Sequence, residues 1–179
     1  MDLLTSHSSL TLWQEVVKHA EHRCSVLLQK ELEAYLVTLL NHYTNKPEIL
    51  RQVFAMAYLD ACHLEENARR TSLQAVGDQC LLFTGLFPHA IQRRMVNISY
   101  FVDIGRSAYA SISVHGNDLY GSLAIQFIVL MDILQSIRSD HDLLPLEAYE
   151  QWQSLGSERA LKILKQYTQA IPGQRKHQN

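Results

Sequence analysis

The stretch Leu119-Tyr120-Gly121-Ser122-Leu123-Ala124-Ile125-Gln126-Phe127-Ile128-Val129-Leu130-Met131-Asp132-Ile133-Leu134-Gln135-Ser136-Ile137 decides the fold. Leu119, Tyr120, Leu123, Ala124, Phe127, Ile128, Met131, Leu134 and Ile137 recur at three and four residues, the spacing of a helix face. The middle is apolar nearly all round, which predicts a helix at the centre of a bundle. Residues 125–131 are interrupted by Gln126 and closed by Asp132. The run is far short of the ~20 residues that span a bilayer, so no membrane span is expected. The break His115-Gly116-Asn117-Asp118 precedes the helix, with Asn117 as its predicted cap.

The flanking segments repeat the pattern. Leu12, Trp13, Val16, Val17, Ala20, Cys24, Leu27, Leu28, Leu32, Tyr35, Leu36, Leu39, Leu40 and Tyr43 keep a helical spacing without Gly or Pro until Pro47, which predicts one long helix with a kink, or as the alternative two helices meeting near residues 22–25. Asn45 with Pro47 is a predicted helix start, followed by a face running from Ile49 to Leu64. A third helix takes Leu73, Val76, Cys80 and Leu81, and Gly77 within it marks a close helix crossing. Gly85 is its expected C-cap, leading into a buried corner at Phe87 and Pro88. Residues 90–96 read as a short helix. Asn97 or Ser99 caps the next, with Gly105 and Ala108 making a shallow spot on its face; a strand over 98–104 is the alternative. Pro145 and Ser157 open the last two helices, the second ending near residue 171.

Composition agrees: 47% hydrophobic and 19% charged residues exclude a disordered chain, and 7 Gly with 4 Pro leave room for long helices. The predicted fold is all-α, a single-domain bundle of about six to eight helices over residues 1–172, with a flexible polar tail at 173–179. The 16 Lys+Arg against 18 Asp+Glu give a net charge of −2, which argues against a strongly basic nucleic-acid binder. Local basic pairs occur only at Arg69-Arg70, Arg93-Arg94 and Arg175-Lys176. Three cysteines, Cys24, Cys62 and Cys80, are odd in number and lack CxxC spacing, so buried reduced thiols are expected. The first residues have no basic region followed by an apolar run, and a cytoplasmic location follows as the expectation.

No complete catalytic motif is present: GxxxxGK[ST], GxGxxG and GxSxG are all missing, and His63-Leu64-Glu65 has no accompanying PCxxC. Asp60 and His63 stand one turn apart, as in half of a di-metal bundle motif, but no second copy exists on another helix. No metal site, cofactor or catalytic residue is therefore expected. The polar set Asp78, Arg93, Arg94, Asp103 and Arg106 lies among large apolar residues and must face water, pair, or bind something. A buried Arg–Asp network is the structural account; an anion or ligand pocket with Tyr100, Tyr109 and Tyr120 as candidate walls is the functional one.

The runs Gly77-Asp78-Gln79-Cys80-Leu81-Leu82-Phe83-Thr84-Gly85-Leu86-Phe87-Pro88 and Tyr100-Phe101-Val102-Asp103-Ile104-Gly105-Arg106-Ser107-Ala108-Tyr109 resemble a group of all-helical proteobacterial proteins of similar length. The resemblance covers roughly residues 31–164. That group has no established activity, so the resemblance implies a stand-alone bacterial cytosolic protein and assigns no residue a role. The leading functional expectation is a non-enzymatic protein-interaction module, with a protein partner or a homodimer. The alternative is a small-ligand or lipid-binding bundle with a pocket lined by Arg93, Arg94 and Arg106 beside Phe83 and Phe87. A di-metal enzyme seeded by Asp60 and His63 ranks third.

Overall fold

A computed structural model of the chain describes residues 2–45, 54–92, 96–116, 118–138 and 142–167. The helices are α1 (Asp2–Cys24), α2 (Lys30–Asn45), α3 (Phe54–Cys62), α4 (Glu66–Leu86), α5 (Pro88–Gln92), α6 (Ile98–Ile112), α7 (Leu119–Ile125), α8 (Phe127–Ile137), α9 (Pro145–Leu155) and α10 (Glu158–Tyr167). The architecture is all-α, but the expected six to eight helices become ten among the described residues, all but α5 and α7 being nine residues or longer. Two breaks inside continuous apolar stripes make the difference.

The first break separates α1 from α2. Ser25 adopts a left-handed φ of 57°, its N–H bonds His22 O at 3.1 Å, and Val26 N–H bonds Glu21 O at 3.0 Å. This is a Schellman stop with serine where glycine usually sits. Buried Glu21 then accepts Leu28 N–H at 2.8 Å, which fixes the turn. The predicted kink near residues 22–25 is therefore a full chain reversal. The second break lies at Gln126, where α7 and α8 meet at 73°. Arg106 Nε donates to Ala124 O at 3.1 Å, taking up a carbonyl at the bend, and Ile125 is left 71% exposed on the outside.

Glycine places the closest crossings. A Cβ on Gly77 would lie 2.5 Å from Tyr109 Cε1, and one on Gly105 would lie 2.6 Å from the Phe127 ring. Gly85 is not the C-cap expected of it. It lies inside α4, where Leu134 occupies the place of its missing Cβ, and Phe87 is the cap residue. Residues 98–104 are helical, with Asn97 Oδ1 accepting Ser99 N–H at 2.9 Å. Asp118, not Asn117, caps α7 by accepting Gly121 N–H at 2.8 Å; Asn117 lies outside the described residues, as do residues 46–53 and the tail from 168.

α4 is the hub, packed on α3, α6 and α8, while α1 packs on α2 and α8. Leu32, Leu36 and Leu40 of α2, Leu73, Leu81 and Leu82 of α4, Tyr109 of α6, and Phe127, Leu130 and Met131 of α8 are fully buried in the main core. The α9–α10 hairpin has its own small cluster, made of Leu143, Ala148, Ala160, Ile163 and Leu164 with Tyr149 and Trp152 packed on it. No described helix is long and apolar enough to cross a membrane; only the bent α7–α8 pair is apolar enough taken together, and α8 is largely buried in the core.

Candidate functional site

Of the polar residues singled out in the sequence, Asp78 and Tyr109 meet. Asp78 Oδ1 accepts from Tyr35 Oη at 2.6 Å and Tyr109 Oη at 2.7 Å. Gln74 Nε2 donates to Tyr35 Oη at 3.3 Å and Gln74 Oε1 accepts from Tyr120 Oη at 2.9 Å, while Arg70 lies over the Tyr120 ring. Burial pushes the Asp78 carboxyl up to about 6, against the two phenol bonds that lower it. Burial likewise raises both phenols above their ordinary range, so they remain neutral donors. The result is a knot joining α2, α4, α6 and α7 around a carboxylate, closed by the Gly77–Tyr109 contact.

Asp103 and Arg106 do not join it. Arg106 is exposed and holds the Ala124 carbonyl, and Asp103 is exposed on another side of α6. Arg93 and Arg94 lie outside the described residues. Two cavities of about 30 Å³ each flank Pro88. That volume suits a water or two, not an acyl chain. Asp60 and His63 are both exposed; α3 ends at Cys62, so they do not share a helix, and no group of three His, Cys, Asp or Glu side chains able to hold a metal occurs among the described residues. Cys80 is buried, and desolvation pushes its thiol up to about 12; Cys24 and Cys62 are half-buried rather than fully buried.

A different region collects charge. Asp132 of α8, 6% exposed, accepts Ser157 Oγ at 2.6 Å and Arg159 N–H at 3.3 Å. Ser157 Oγ in turn accepts Ala160 N–H at 3.0 Å, so serine and aspartate together cap α10. Arg159, 9% exposed, donates from Nη1 to Gln135 Oε1 at 3.1 Å and from Nη2 to Asp142 Oδ1 at 3.1 Å. Arg23 at the end of α1 donates to Ser136 O at 2.6 Å, and Lys162 Nζ to Cys24 O at 3.0 Å and Ser25 Oγ at 3.3 Å. Exposed Arg138, just past α8, has no hydrogen-bond or ion-pair partner among the described residues.

These groups surround a cavity of about 240 Å³, which Cys24, Ser136, Ile163 and Gln166 also line. Arg23, Arg138, Arg159 and Lys162 line it with one carboxylate, Asp142, an excess of three positive charges in the lining itself, behind which the Asp132 carboxyl lies against Arg159. Part of the arrangement is structural. Arg23 and Lys162 sit on carbonyls at the C-terminal ends of α8 and α1, where the helix dipole favours a cation. Donors remain: a guanidinium carries five N–H groups, and Arg23 uses one and Arg159 two. Burial pushes the Asp132 carboxyl up to about 6 and raises the Cys24 thiol, which forms part of the cavity wall.

Sequence reasoning missed this cavity because its cations come from positions 23, 138, 159 and 162, with no local spacing to connect them. One signal was present: Asp132, Gln135 and Ser136, at i, i+3 and i+4 on the most apolar helix, put a polar stripe where a core face is expected. Compared with protein-family models, with curated proteins and with solved structures, the chain matches none.

Proposed function

We propose that the chain is a non-catalytic helical domain that binds a small anion, a carboxylate or phosphate, in the cavity between α1, α8 and α10. The supporting observation is the excess of three positive charges around about 240 Å³ of space. Guanidinium groups suit oxyanions because their N–H donors meet two oxygens at once, and charge-assisted bonds are about twice as strong as neutral ones. The cavity is smaller than the roughly 300–1,000 Å³ of drug-sized pockets, and Ile163 is its one large aliphatic wall. A compact oxyanion fits that space, and a lipid chain does not. In this reading the anion is held by residues other than Arg93, Arg94 and Arg106.

The test is a thermal-shift and calorimetric titration with inorganic phosphate and citrate. At 100 times its dissociation constant a ligand adds about 2.7 kcal/mol to stability. The expected result is a saturable shift that weakens at high salt and is reduced in Arg138→Gln. A shift that never saturates, or one identical in Arg138→Gln, would overturn the proposal.

A second reading, a protein-interaction module that pairs with another copy, is favoured by a groove of about 520 Å³ between α1 and α2. Lys30, Glu33, Ala34, Val37 and Thr38 line one side at helical spacing and Leu10, Thr11, Gln14 and Lys18 the other, the shape a third helix fills. Native mass spectrometry decides it: a dimer that Leu10→Asp converts to monomer supports this reading, and a monomer at every concentration refutes the pairing.

A further inference from the structure

The anion cavity lies on a seam. Its cations divide into Arg23 of α1 and Arg138 just past α8 on one side, and Arg159 and Lys162 of α10 on the other, with Asp142, bonded to Arg159, as the one carboxylate of the lining. The two sides belong to different hydrophobic clusters. The buried apolar residues of the α9–α10 hairpin form their own group, and among the described residues Leu155 is its one apolar contribution to the main core. What fastens the hairpin to the body is largely polar: Ser157 and Arg159 N–H on Asp132, Arg159 on Gln135, Lys162 on Cys24 O, and His89 Nδ1 against Glu147 Oε1 at 3.0 Å. Such bonds contribute only about 0.5–1.5 kcal/mol each, because water replaces them on opening. A unit with its own core and a polar seam is the kind that opens sub-globally.

We infer that the bound anion is a latch: it bridges Arg23 and Arg138 of the body to Arg159 and Lys162 of the hairpin, and so holds α9–α10 docked. The inference rests on the anion-binding reading and adds its consequence. When the hairpin swings away, two of the four cations leave with it, so the open form binds the anion more weakly. A ligand that prefers one conformer shifts the population toward it by that difference in affinity. Ligand occupancy is thereby coupled to the position of a 23-residue unit, Pro145–Tyr167, that carries exposed Leu146 and Tyr167 on its surface.

Hydrogen exchange of the full chain, with inorganic phosphate as the probe and calorimetry in the same buffer, tests the latch. With phosphate at ten times its dissociation constant, the amides of α9 and α10 exchange about tenfold more slowly, while those of α2 and α4 do not change. Without ligand, Ser157→Ala speeds exchange in α9 and α10 alone. Saturable binding with no selective slowing overturns the latch and leaves anion binding standing. Saturable binding with uniform slowing does the same, because it means the hairpin opens only with the whole molecule. No saturable binding overturns the anion site and the latch together.

Discussion

Asp78 and Asp132 face the same problem, a carboxylate taken out of water inside a helical protein, and each is pushed up to about 6 by burial. At Asp78 the answer is tight and uses neutral donors. Two phenols close on one oxygen, a glycine removes the last Cβ between α4 and α6, and the network is tied into the fully buried core. At Asp132 the answer is a helix start: Ser157 Oγ and the Arg159 N–H, with the cations of a cavity close by. The first arrangement spends both phenol donors on the carboxylate and fastens four helices. The second leaves guanidinium donors over and fastens a hairpin that has its own core. In a buried polar network the groups left unused by the fold are the ones free to serve a ligand.

Breaking the body has the largest expected effect. Phe127 is fully buried against Gly105, so Phe127→Ala costs about 3–5 kcal/mol in urea unfolding. Ile163→Ala in the hairpin cluster costs less, about 2–3 kcal/mol, and shows first as faster exchange in α9 and α10. If both variants unfold the chain as one unit with equal cost, the division into body and hairpin fails.

The knot comes next. Tyr109→Phe removes one of two donors to a buried carboxylate and is expected to cost about 1.5–3 kcal/mol at pH 7, and clearly less at pH 4 where Asp78 is protonated. A cost independent of pH would mean that Asp78 does not change its charge between pH 4 and pH 7.

The pH dependence has a definite sign. Asp78 and Asp132 both have folded pKa values of about 6 against 3.8, so the folded state holds their protons more tightly. Their charging opposes folding: the penalty is absent below about pH 4, grows as pH rises to about 6, and is complete above it, each contributing on the order of 3 kcal/mol. Asp118 works the other way. Backbone N–H bonds from Gly121 and Val114 hold it down to about 2, so its support is present above pH 4 and lost as pH falls toward 2. Denaturation across pH 3–8 is expected to show greater stability at pH 5 than at pH 7. Asp78→Asn and Asp132→Asn each flatten part of that slope, and a profile unchanged by either removes these carboxyls as its cause.

Much of the body was legible in sequence and the seam was not. The stripe of α8, the Asn97 cap, Pro145 at the start of α9 and Ser157 before α10 follow from local rules, and Gly77 and Gly105 marked real crossings. Ser25 decides for two helices meeting near residues 22–25 over the favoured single kinked one, and a left-handed serine gives no residue-type warning of that choice. Gly85 was misjudged because glycine serves both caps and close packing, and Leu134, which needs the space, is 49 positions away. The bend at Gln126 is hidden by an apolar stripe that runs through it, since both halves bury their faces. The knot was half visible, in Asp78 and Tyr109, but Tyr35 arrives from a helix that no spacing connects to them. The cavity's charges assemble only in three dimensions.

The smallest stability effect carries the sharpest functional one. Arg138 is exposed and without partner among the described residues, so Arg138→Gln changes stability by less than about 0.5 kcal/mol. Anion affinity is expected to fall about tenfold or more, the loss of one charge-assisted contact. The most direct measurement of the central claim is an NMR titration of the chain with inorganic phosphate, following backbone amides. The account predicts saturable shifts confined to the neighbourhood of Arg23, Ser136, Arg138, Arg159 and Lys162, weakened by added salt and by Arg138→Gln. Shifts that fail to saturate, or that scatter over the surface without favouring these residues, would contradict it.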